Sequence, residues 1–375
     1  MTLPQPIPYS ADLEQPGPDE EKVQAELNET FDYIVTKTHA DLGHAQRGVH
    51  AKSHALLEAE LRVHDDLPEE LSQGIFAERG RRYPALVRIS AIAGDPLRDS
   101  VSLPRGFAIK VVGVDGPRLV ESASDVTQDF LFATAPVFAA PDAKAFLKSL
   151  KLTAMTTDRA EWAKAALSMV LRPLTRGIKG LGLNGSVLHG FGGYPPTNPL
   201  GDRYYTQVPL RFGAYVAKLD LVPESPNFRA LTGAPIDVAR ARDAIREEIG
   251  ALLASEGGSW TLRAQLCRDL ASNPIEDASV AWPEGGNPYL PVATVSVAPQ
   301  TSWTRERSRI VDDATSFRPW HGIEAHRPLG SIMRARKTAY PFSAERRSAL
   351  NECPIHEPRS MVPLPAGSGR EHEKP

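Results

Sequence analysis

Residues 85–116 read ALVRISAIAGDPLRDSVSLPRGFAIKVVGVDG. Two runs of apolar and β-branched residues flank a segment rich in Asp, Ser and Pro, which is the pattern of two strands joined by a loop. The Asp115-Gly116 pair that follows favours a hairpin turn. Similar short runs of apolar, strand-forming residues occur at 55–63 and 130–140. This part of the chain is therefore predicted to form a series of short antiparallel strands.

The rest of the chain continues this pattern after a helical interval. Helical spacing of apolar residues predicts a first helix from Glu21 to about His39 and further helices within 142–180. Strand-like runs then return near 203–223, 259–270 and 289–300. The two groups of strands are interpreted as halves of one sheet or barrel.

The domain prediction follows from these elements and from the ends of the chain. Residues 1–20 are rich in Pro and acidic residues and are predicted to form an extended arm. Residues 21–362 are predicted to form a single α+β domain. Residues 363–375 are predicted to be a disordered tail.

Composition limits the function classes. The chain has 375 residues, 41% of them hydrophobic and 24% charged, with a net charge of −3, which is typical of a globular protein without a basic field for nucleic acid. Its 33 prolines exceed the usual share of about 5% and favour turns and wrapping segments. Cys267 and Cys353 have no metal or disulfide spacing, so a reducing cytoplasm is the expected compartment. We expect neither a signal peptide nor a membrane span of about 20 apolar residues.

Several short motifs carry residues suited to chemistry. Each motif alone is compatible with a purely structural role. They are RGVHAK (47–52), RISAIAG (88–94), LPRGFAIK (103–110), APVF (135–138) followed by Phe146, AWPEGGNPYLPV (281–292), GIEA (322–325) and RARKTAY (334–340) followed by Arg347.

In this order, from about Arg47 to Arg347, the motifs resemble the haem catalase superfamily, and most closely the short catalase-related proteins of bacteria. The resemblance implies an antiparallel eight-stranded β-barrel with surrounding helices and an extended N-terminal arm. It also implies haem b with ferric iron as cofactor.

Tyr340 is the iron ligand that the resemblance implies. A phenol with a pKa near 10 needs a stabilised anion to bind iron at neutral pH. Arg336, one helical turn earlier, lies on the same helix face and would lower that pKa as an adjacent cation. Pro341 is expected to bend or end the helix directly after Tyr340.

The other roles implied by the resemblance concern the opposite side of the haem and its carboxylates. His50 would transfer the peroxide proton, and Ser90 would hydrogen-bond its far ring nitrogen. We expect the imidazole to be neutral and poised near physiological pH. Arginine forks suit carboxylates, so the arginines at the matching positions would bind the haem propionates. The residues predicted to contact the cofactor are Arg47, Val49, Arg88, Phe138, Phe146, Arg336, Tyr340 and Arg347.

Two departures from the family pattern concern the substrate. The position of a distal Asn is occupied by Ala133 or Thr134, and Thr134 is predicted to serve as a hydroxyl donor in catalysis. Leu103 stands where catalases have a channel Asp. Both changes favour an organic hydroperoxide, such as that of a fatty acid, as substrate over hydrogen peroxide, although neutral variation in a catalase would explain them too.

The function predicted from these residues is a haem peroxidase that reduces organic hydroperoxides with an unknown electron donor and has weak catalase activity. The alternatives are a hydroperoxide isomerase or lyase of the allene oxide synthase type, a true catalase, and a non-catalytic haem-binding protein. Val49 disfavours the isomerase, which tends to have Thr before the distal His.

The remaining features suggest few partners. The basic and apolar stretch 169–179 could touch a membrane, but a surface helix packed on the barrel is favoured over peripheral membrane contact. His321 and His326 lack metal-ligand spacing and are interpreted as loop residues. The sequence predicts no nucleic-acid partner and leaves a homo-oligomer open.

Overall fold

The computed structural model describes residues 3–101, 103–154 and 194–366. Its strands are β1 (Ser53–Val63), β2 (Arg82–Ala91), β3 (Arg105–Val112), β4 (Thr127–Ala133), β5 (Tyr204–Tyr205), β6 (Leu210–Phe212), β7 (Tyr215–Pro223), β8 (Gly258–Leu266) and β9 (Leu290–Val297). Its α-helices are α1 (Glu20–Leu42), α2 (Ala143–Ala154), α3 (Pro226–Ala230), α4 (Ala244–Leu253), α5 (Arg305–Ser308) and α6 (Ser331–Leu350).

The strands form one closed antiparallel sheet. β1 to β4 pair in chain order, β9 pairs with β1, and β8 and β7 follow on that side. β5 closes the ring because it pairs with both β4 and β7. β6 pairs with another part of β7, so the two short strands share one position in the ring. The predicted eight-stranded barrel is confirmed.

Strand alternation gives the barrel an apolar interior and a more polar outer face. In β2, Val87 and Ile89 belong to the main core, whereas Arg88 and Ser90 project to the other side. The ring of Phe107 lies inside, with its centroid 5.1 Å from the rings of Tyr204 and of Trp260. Aromatic packing of this kind fixes the positions of β2 and β3, whose outer faces carry the candidate site.

Three helices form a layer outside the barrel. α1, α2 and α6 share an apolar cluster that includes Leu27, Phe31, Leu147 and Ala339. α1 begins and ends within three residues of the predicted boundaries. α6 continues through Pro341 to Leu350. The proline therefore does not end the helix, which was one of the two outcomes expected from the sequence. The packed layer compensates for the backbone hydrogen bond that a proline cannot donate.

The N-terminal arm lies along the barrel in an extended form. The backbone N–H of Ile7 donates to Cys267 O, and that of Tyr9 donates to Ala214 O, both at 2.8 Å. Arg334 of α6 then forms ion pairs with Glu14 and Glu20 and with Glu276. The arm is therefore attached by backbone bonds at one end and by carboxylates at the other.

Some predictions differ from the structure or lie outside it. Residues 363–366 of the predicted tail are ordered against the barrel, because Leu364 is buried in an apolar cluster. Asp115-Gly116 lies in the long connection between β3 and β4 and does not form a tight hairpin. The stretch 169–179 lies outside the described residues. Within the described residues, none of the helices combines the length and apolar character needed to cross a membrane.

Candidate active site

The site is built on a row of residues that crosses three neighbouring strands. Ser90 of β2 lies opposite Gly106 of β3, and Gly106 lies opposite Ala133 of β4. Opposite residues in an antiparallel pair share one face of the sheet. His50 lies over this row, with its Nδ1 atom 3.1 Å from Ser90 Oγ.

Gly106 provides the space for the His50 ring. A Cβ atom at position 106 would lie 2.5 Å from both Cε1 and Nδ1 of His50, which is too close for any side chain. Sequence reasoning quoted Gly106 in a motif but assigned it no role. A glycine inside a strand is the signal that could have indicated this close approach.

The backbone of His50 has an unusual conformation. Its φ angle is +57°, a left-handed value that is uncommon for a residue with a side chain. Backbone bonds from His50 N to Ile92 O and from Ala51 N to Ala93 O hold it there. Arg88 Nη2 also donates to His50 O at 2.8 Å. Strained residues of this kind often mark functional sites.

The imidazole of His50 is neutral. Burial, and then the positive charges of Arg88, Arg336 and Arg47, lower its pKa to about 3. The ring therefore stays uncharged throughout the physiological range, which differs from the expectation of a pKa poised near neutrality. Ser90 occupies one ring nitrogen, and no described residue hydrogen-bonds Nε2. That nitrogen is free to exchange a proton with a ligand.

Asp312 accepts hydrogen bonds from all three arginines that were predicted to bind the propionates. It lies in a π-helical turn, Arg309–Asp313, a type of turn often found at functional sites. Its Oδ1 accepts a 2.7 Å hydrogen bond from Arg88 Nε. Its backbone carbonyl accepts hydrogen bonds from Nη1 of both Arg47 and Arg347.

The side chain of Asp312 is itself held by two hydroxyls. Ser53 Oγ and Ser308 Oγ each donate to its Oδ2 at 2.7 Å. Burial would raise the pKa of this carboxyl, but the charges of Arg88 and Arg47 and these hydrogen bonds lower it to about 2. Sequence reasoning missed Asp312, which belongs to none of the recognised motifs.

The arginine cluster carries more positive than negative charge. Three guanidinium groups face the carboxylates of Asp312 and Asp313. Burial lowers the pKa of Arg347 to about 10, although both carboxylates oppose this change. Burial and repulsion from Arg347 and Arg88 also lower the pKa of Arg47. An added anion would stabilise this cluster, so it suits the carboxylates of a cofactor.

Tyr340 lines a cavity of about 460 Å³ that is open to solvent, together with Phe31, Arg47, Val49 and Arg347. No hydrogen bond from the described residues reaches its hydroxyl, which leaves the oxygen available as a ligand. A phenolic oxygen and carboxylate-binding arginines around one cavity are the donor set that a tyrosine-ligated haem requires. The residues present therefore fit the cofactor predicted from the sequence.

Arg336 does not contact Tyr340 in the way the helix spacing predicted. The two residues are four apart on α6, but the Arg336 guanidinium carbon lies 5.3 Å from the ring centroid of Phe138. Phe138 in turn packs against Phe146 at 5.1 Å in a T-shaped pair. No described carboxylate pairs with Arg336, and a cation without one is attracted to an aromatic face. Among the described residues, no hydrogen bond joins Arg336 to the Tyr340 hydroxyl.

The structure separates Thr134 from the row below His50. Thr134 Oγ1 accepts a 3.1 Å hydrogen bond from the backbone N–H of Arg105, and a side-chain hydrogen bond also links Thr134 to Tyr194. Ala133 lies in register with Gly106. Of the two candidate positions, Ala133 therefore shares the face of His50, and the catalytic role of Thr134 stays a prediction.

Leu103 lines a second cavity, of about 320 Å³ including open space, with His54, Asp99 and Arg105. The carboxylate of Asp99 is paired with Lys52 Nζ at 2.7 Å. An acidic residue is therefore present in this cavity, but the ammonium group of Lys52 neutralises its charge.

Asp312→Asn is expected to lower the free energy of unfolding by about 3–5 kcal/mol, because it leaves buried guanidinium groups without a carboxylate. The contribution of Asp312 should be complete above pH about 4 and should be lost as the pH falls through about 2, since its folded pKa is depressed. Urea unfolding across this pH range measures both effects.

Asp65→Asn is the matched control for this substitution, because the side chain of Asp65 is 65% exposed beside Arg62. It should cost less than about 1 kcal/mol. Equal losses for the two variants would contradict a central role for Asp312.

Comparisons with solved structures agree with this architecture. A fungal catalase aligns with a TM-score of 0.57 at 18% identity, over 86% of this chain and 65% of its own length. Catalase A from Saccharomyces cerevisiae gives 0.56 at 16% identity, over 92% and 68%. A bacterial catalase gives 0.55 at 16% identity, over 98% and 70%. This chain therefore spans about two thirds of the length of the catalases that it matches.

At the level of sequence, no model of a known protein family and no curated protein matches the chain. The structural likeness concerns the barrel and the helices around it. The chain has the catalase-like fold.

Proposed function

We propose that this protein is a haem-dependent peroxidase that reduces organic hydroperoxides and has weak catalase activity. The observation that carries the proposal is the neutral His50, which is bonded to Ser90 through one nitrogen and follows directly on Val49 in the wall of a cavity lined by Tyr340 and three arginines. A candidate proton-transfer group and a candidate phenolic ligand are thus supplied on a catalase-like barrel.

The residues that would hold the cofactor come from four parts of the chain. Tyr340 would bind the iron, and Arg47, Arg88 and Arg347 would bind the propionates with the charge that Asp312 leaves unmatched. Val49, Phe138 and Phe146 would supply apolar contacts, since Val49 and Phe146 already pack against the helix cluster that contains Ala339. Bound ferric haem would accept the oxidising equivalents of the peroxide, and an external electron donor would return it to its starting state.

His50 would move one proton during this reaction. Its Nε2 would take the proton from one oxygen of the hydroperoxide and return it to the other oxygen, which leaves as an alcohol. A neutral imidazole can accept this proton and then donate it to the leaving oxygen. Ser90 fixes the ring, and Gly106 allows the ring to lie flat on the sheet.

The residues around His50 support a substrate with an apolar tail. Ala133, beside His50, offers no hydrogen bond to a second peroxide oxygen. Leu103 adds an apolar side chain to the separate cavity that it lines with His54, Asp99 and Arg105. A missing hydrogen bond costs about 1 kcal/mol, whereas each buried methylene contributes about 0.8 kcal/mol. About three methylenes of an alkyl or lipid tail would thus offset the missing bond.

Tyr340→Phe is expected to reduce the haem content or to remove the absorption pattern of phenolate-bound ferric iron, because phenylalanine has no ligand atom. Absorption spectra of the purified, haem-reconstituted protein measure this. Tyr33→Phe is the matched control, since Tyr33 is 46% exposed on α1. An unchanged spectrum in Tyr340→Phe would show that another residue binds the iron.

His50→Ala is expected to lower the rate of hydroperoxide reduction by about 100-fold, the usual scale of general acid–base assistance. Haem content should stay nearly the same, because His50 does not bind the iron. Stopped-flow rates and haem content should be compared with those of His39→Ala on α1. Rates within a few-fold of the control would make His50 a structural residue.

Leu103→Asp combined with Ala133→Asn should raise kcat/KM for hydrogen peroxide and lower it for a fatty-acid hydroperoxide, since both changes add polar groups for a small substrate. Leu103→Asp combined with Thr134→Asn is the matched control, because Thr134 faces away from His50. The measurement is the ratio of kcat/KM for the two substrates, with and without a phenolic donor.

The same assay separates the alternative functions. Donor-dependent formation of the alcohol supports the peroxidase. Donor-independent rearrangement of the lipid would indicate an isomerase, and wild-type turnover of hydrogen peroxide at catalase rates would indicate a catalase. The absence of any reaction would indicate a haem-binding protein.

A further inference from the structure

A buried cluster of charged residues lies on the outer side of β3 and β4, apart from His50. Lys110 Nζ lies 2.7 Å from Asp129 Oδ1 and also donates to Glu357. His321 Nδ1 lies 3.2 Å from Glu357 Oε2 and 3.7 Å from Asp129 Oδ2. Four segments of the chain therefore meet at one pair of carboxylates. The sequence analysis had interpreted His321 only as a loop residue.

The cluster has the residue types of a metal site, but its charges are already balanced. The candidate ligand atoms of Asp129, His321 and Glu357 lie within 4.8 Å of one another. The ammonium group of Lys110, with no exposed surface, already bonds to both carboxylates. A metal ion would have to displace it or bind beside a buried cation. The geometry favours a proton-dependent cluster over a metal site.

Glu357 belongs to the segment of residues 352–366, here called the strap, which follows α6 and crosses the outside of the barrel. The backbone N–H of His356 donates to Ala314 O at 2.9 Å. Leu364 packs with Leu56 and Phe317 in an apolar cluster. The side chain of Glu357 is 13% exposed, whereas the other charged residues of the strap, Glu352, His356 and Arg359, are exposed.

The cluster also holds one wall of the Tyr340 cavity. Arg318 N donates to Asp129 Oδ2 at 2.8 Å, and Asp129 N donates to His321 O at 2.9 Å. Lys110 Nζ lies 5.5 Å from the ring centroid of Phe317. Phe317 and Arg318 both line the cavity. The strap and the cavity wall are therefore attached to the same carboxylates.

We propose that the strap is a pH-sensitive latch, held on the barrel through Glu357 while His321 carries a proton and loosened when His321 loses it. Loosening the strap frees the wall formed by residues 316–321. This device is independent of the proposed function, because it involves only the protein's own groups.

The charges around His321 support the direction of the switch. Burial would lower its pKa, but the carboxylates of Asp129 and Glu357 outweigh burial and the repulsion from Lys110, so the pKa is raised. Asp125 faces the other ring nitrogen at 3.7 Å, and Arg118 interacts with the same carboxylates. Stabilisation from His321 is therefore complete below pH about 6.5 and is lost as the pH rises through its raised folded value.

The partner carboxylate titrates far from this range. Burial would raise the pKa of Glu357, but the charge of Lys110 and the contact with His321 lower it to about 2. Its contribution is complete above pH about 4.5 and is lost only as the pH falls through about 2. Deprotonation of His321 removes its charge on the alkaline side, so the latch should weaken there.

Hydrogen exchange of the full-length protein tests the latch. Protection factors of residues 352–366, corrected for the intrinsic effect of pH, should fall by about tenfold between about pH 6 and about pH 9 in wild type, because deprotonation of His321 removes its attraction to Glu357. His321→Gln should remove this pH dependence. Glu357→Gln should lower protection at both pH values, whereas Glu352→Gln, the same change at an exposed site of the strap, should behave like wild type.

The outcomes either support or overturn the latch. A wild-type pH dependence that persists in His321→Gln, or equal behaviour of Glu357→Gln and Glu352→Gln, would overturn it. Zn²⁺ that raises protection in wild type but not in His321→Gln would also overturn it, in favour of a metal site. Because Glu357→Gln changes a residue of the strap rather than the barrel core, the test remains available if His321→Gln folds poorly.

Discussion

The candidate active site depends on the pairing of Asp312 with a set of buried arginines. Arg88 links this carboxylate to the backbone of His50, so the strained conformation of His50 and the orientation of the cavity arginines share one support. A buried ion pair contributes little net stability, but it fixes geometry, because removing one partner leaves an unpaired charge in the interior. The excess of guanidinium groups keeps the cavity attractive to anions. Asp312 and its arginines therefore determine both the orientation of the site residues and the charge of the cavity.

Much of the fold was predictable because its signals are local. The alternation of apolar residues in β2 and β3 indicated strands with one buried face, and the order of the motifs indicated a closed barrel. The boundaries that failed are those decided by tertiary packing. Pro341 is tolerated because α1 and α2 cover the helix around it, and Leu364 is ordered because it enters a cluster formed by residues far away in sequence.

The candidate site was only partly predictable for a related reason. His50, Ser90 and Tyr340 stand in recognisable motifs, whereas Asp312 and Gly106 act through contacts that no spacing in the sequence reveals. The choice between Ala133 and Thr134 required the register of β4 against β3. The environment of His321 could not be predicted from the sequence either, because its partners Asp129 and Glu357 come from remote segments.

The way the barrel closes has a consequence for how the protein folds. β4 and β5 share a single paired position, Ala133 with Tyr205, and about 70 residues separate them along the chain. Joining such distant segments costs loop entropy before many contacts repay it, so this seam should form late and open first. Ala133 is also the last residue of the row beneath His50. The pocket therefore lies beside this seam. Local opening of the seam would change the width of the pocket while the core of the barrel stays folded.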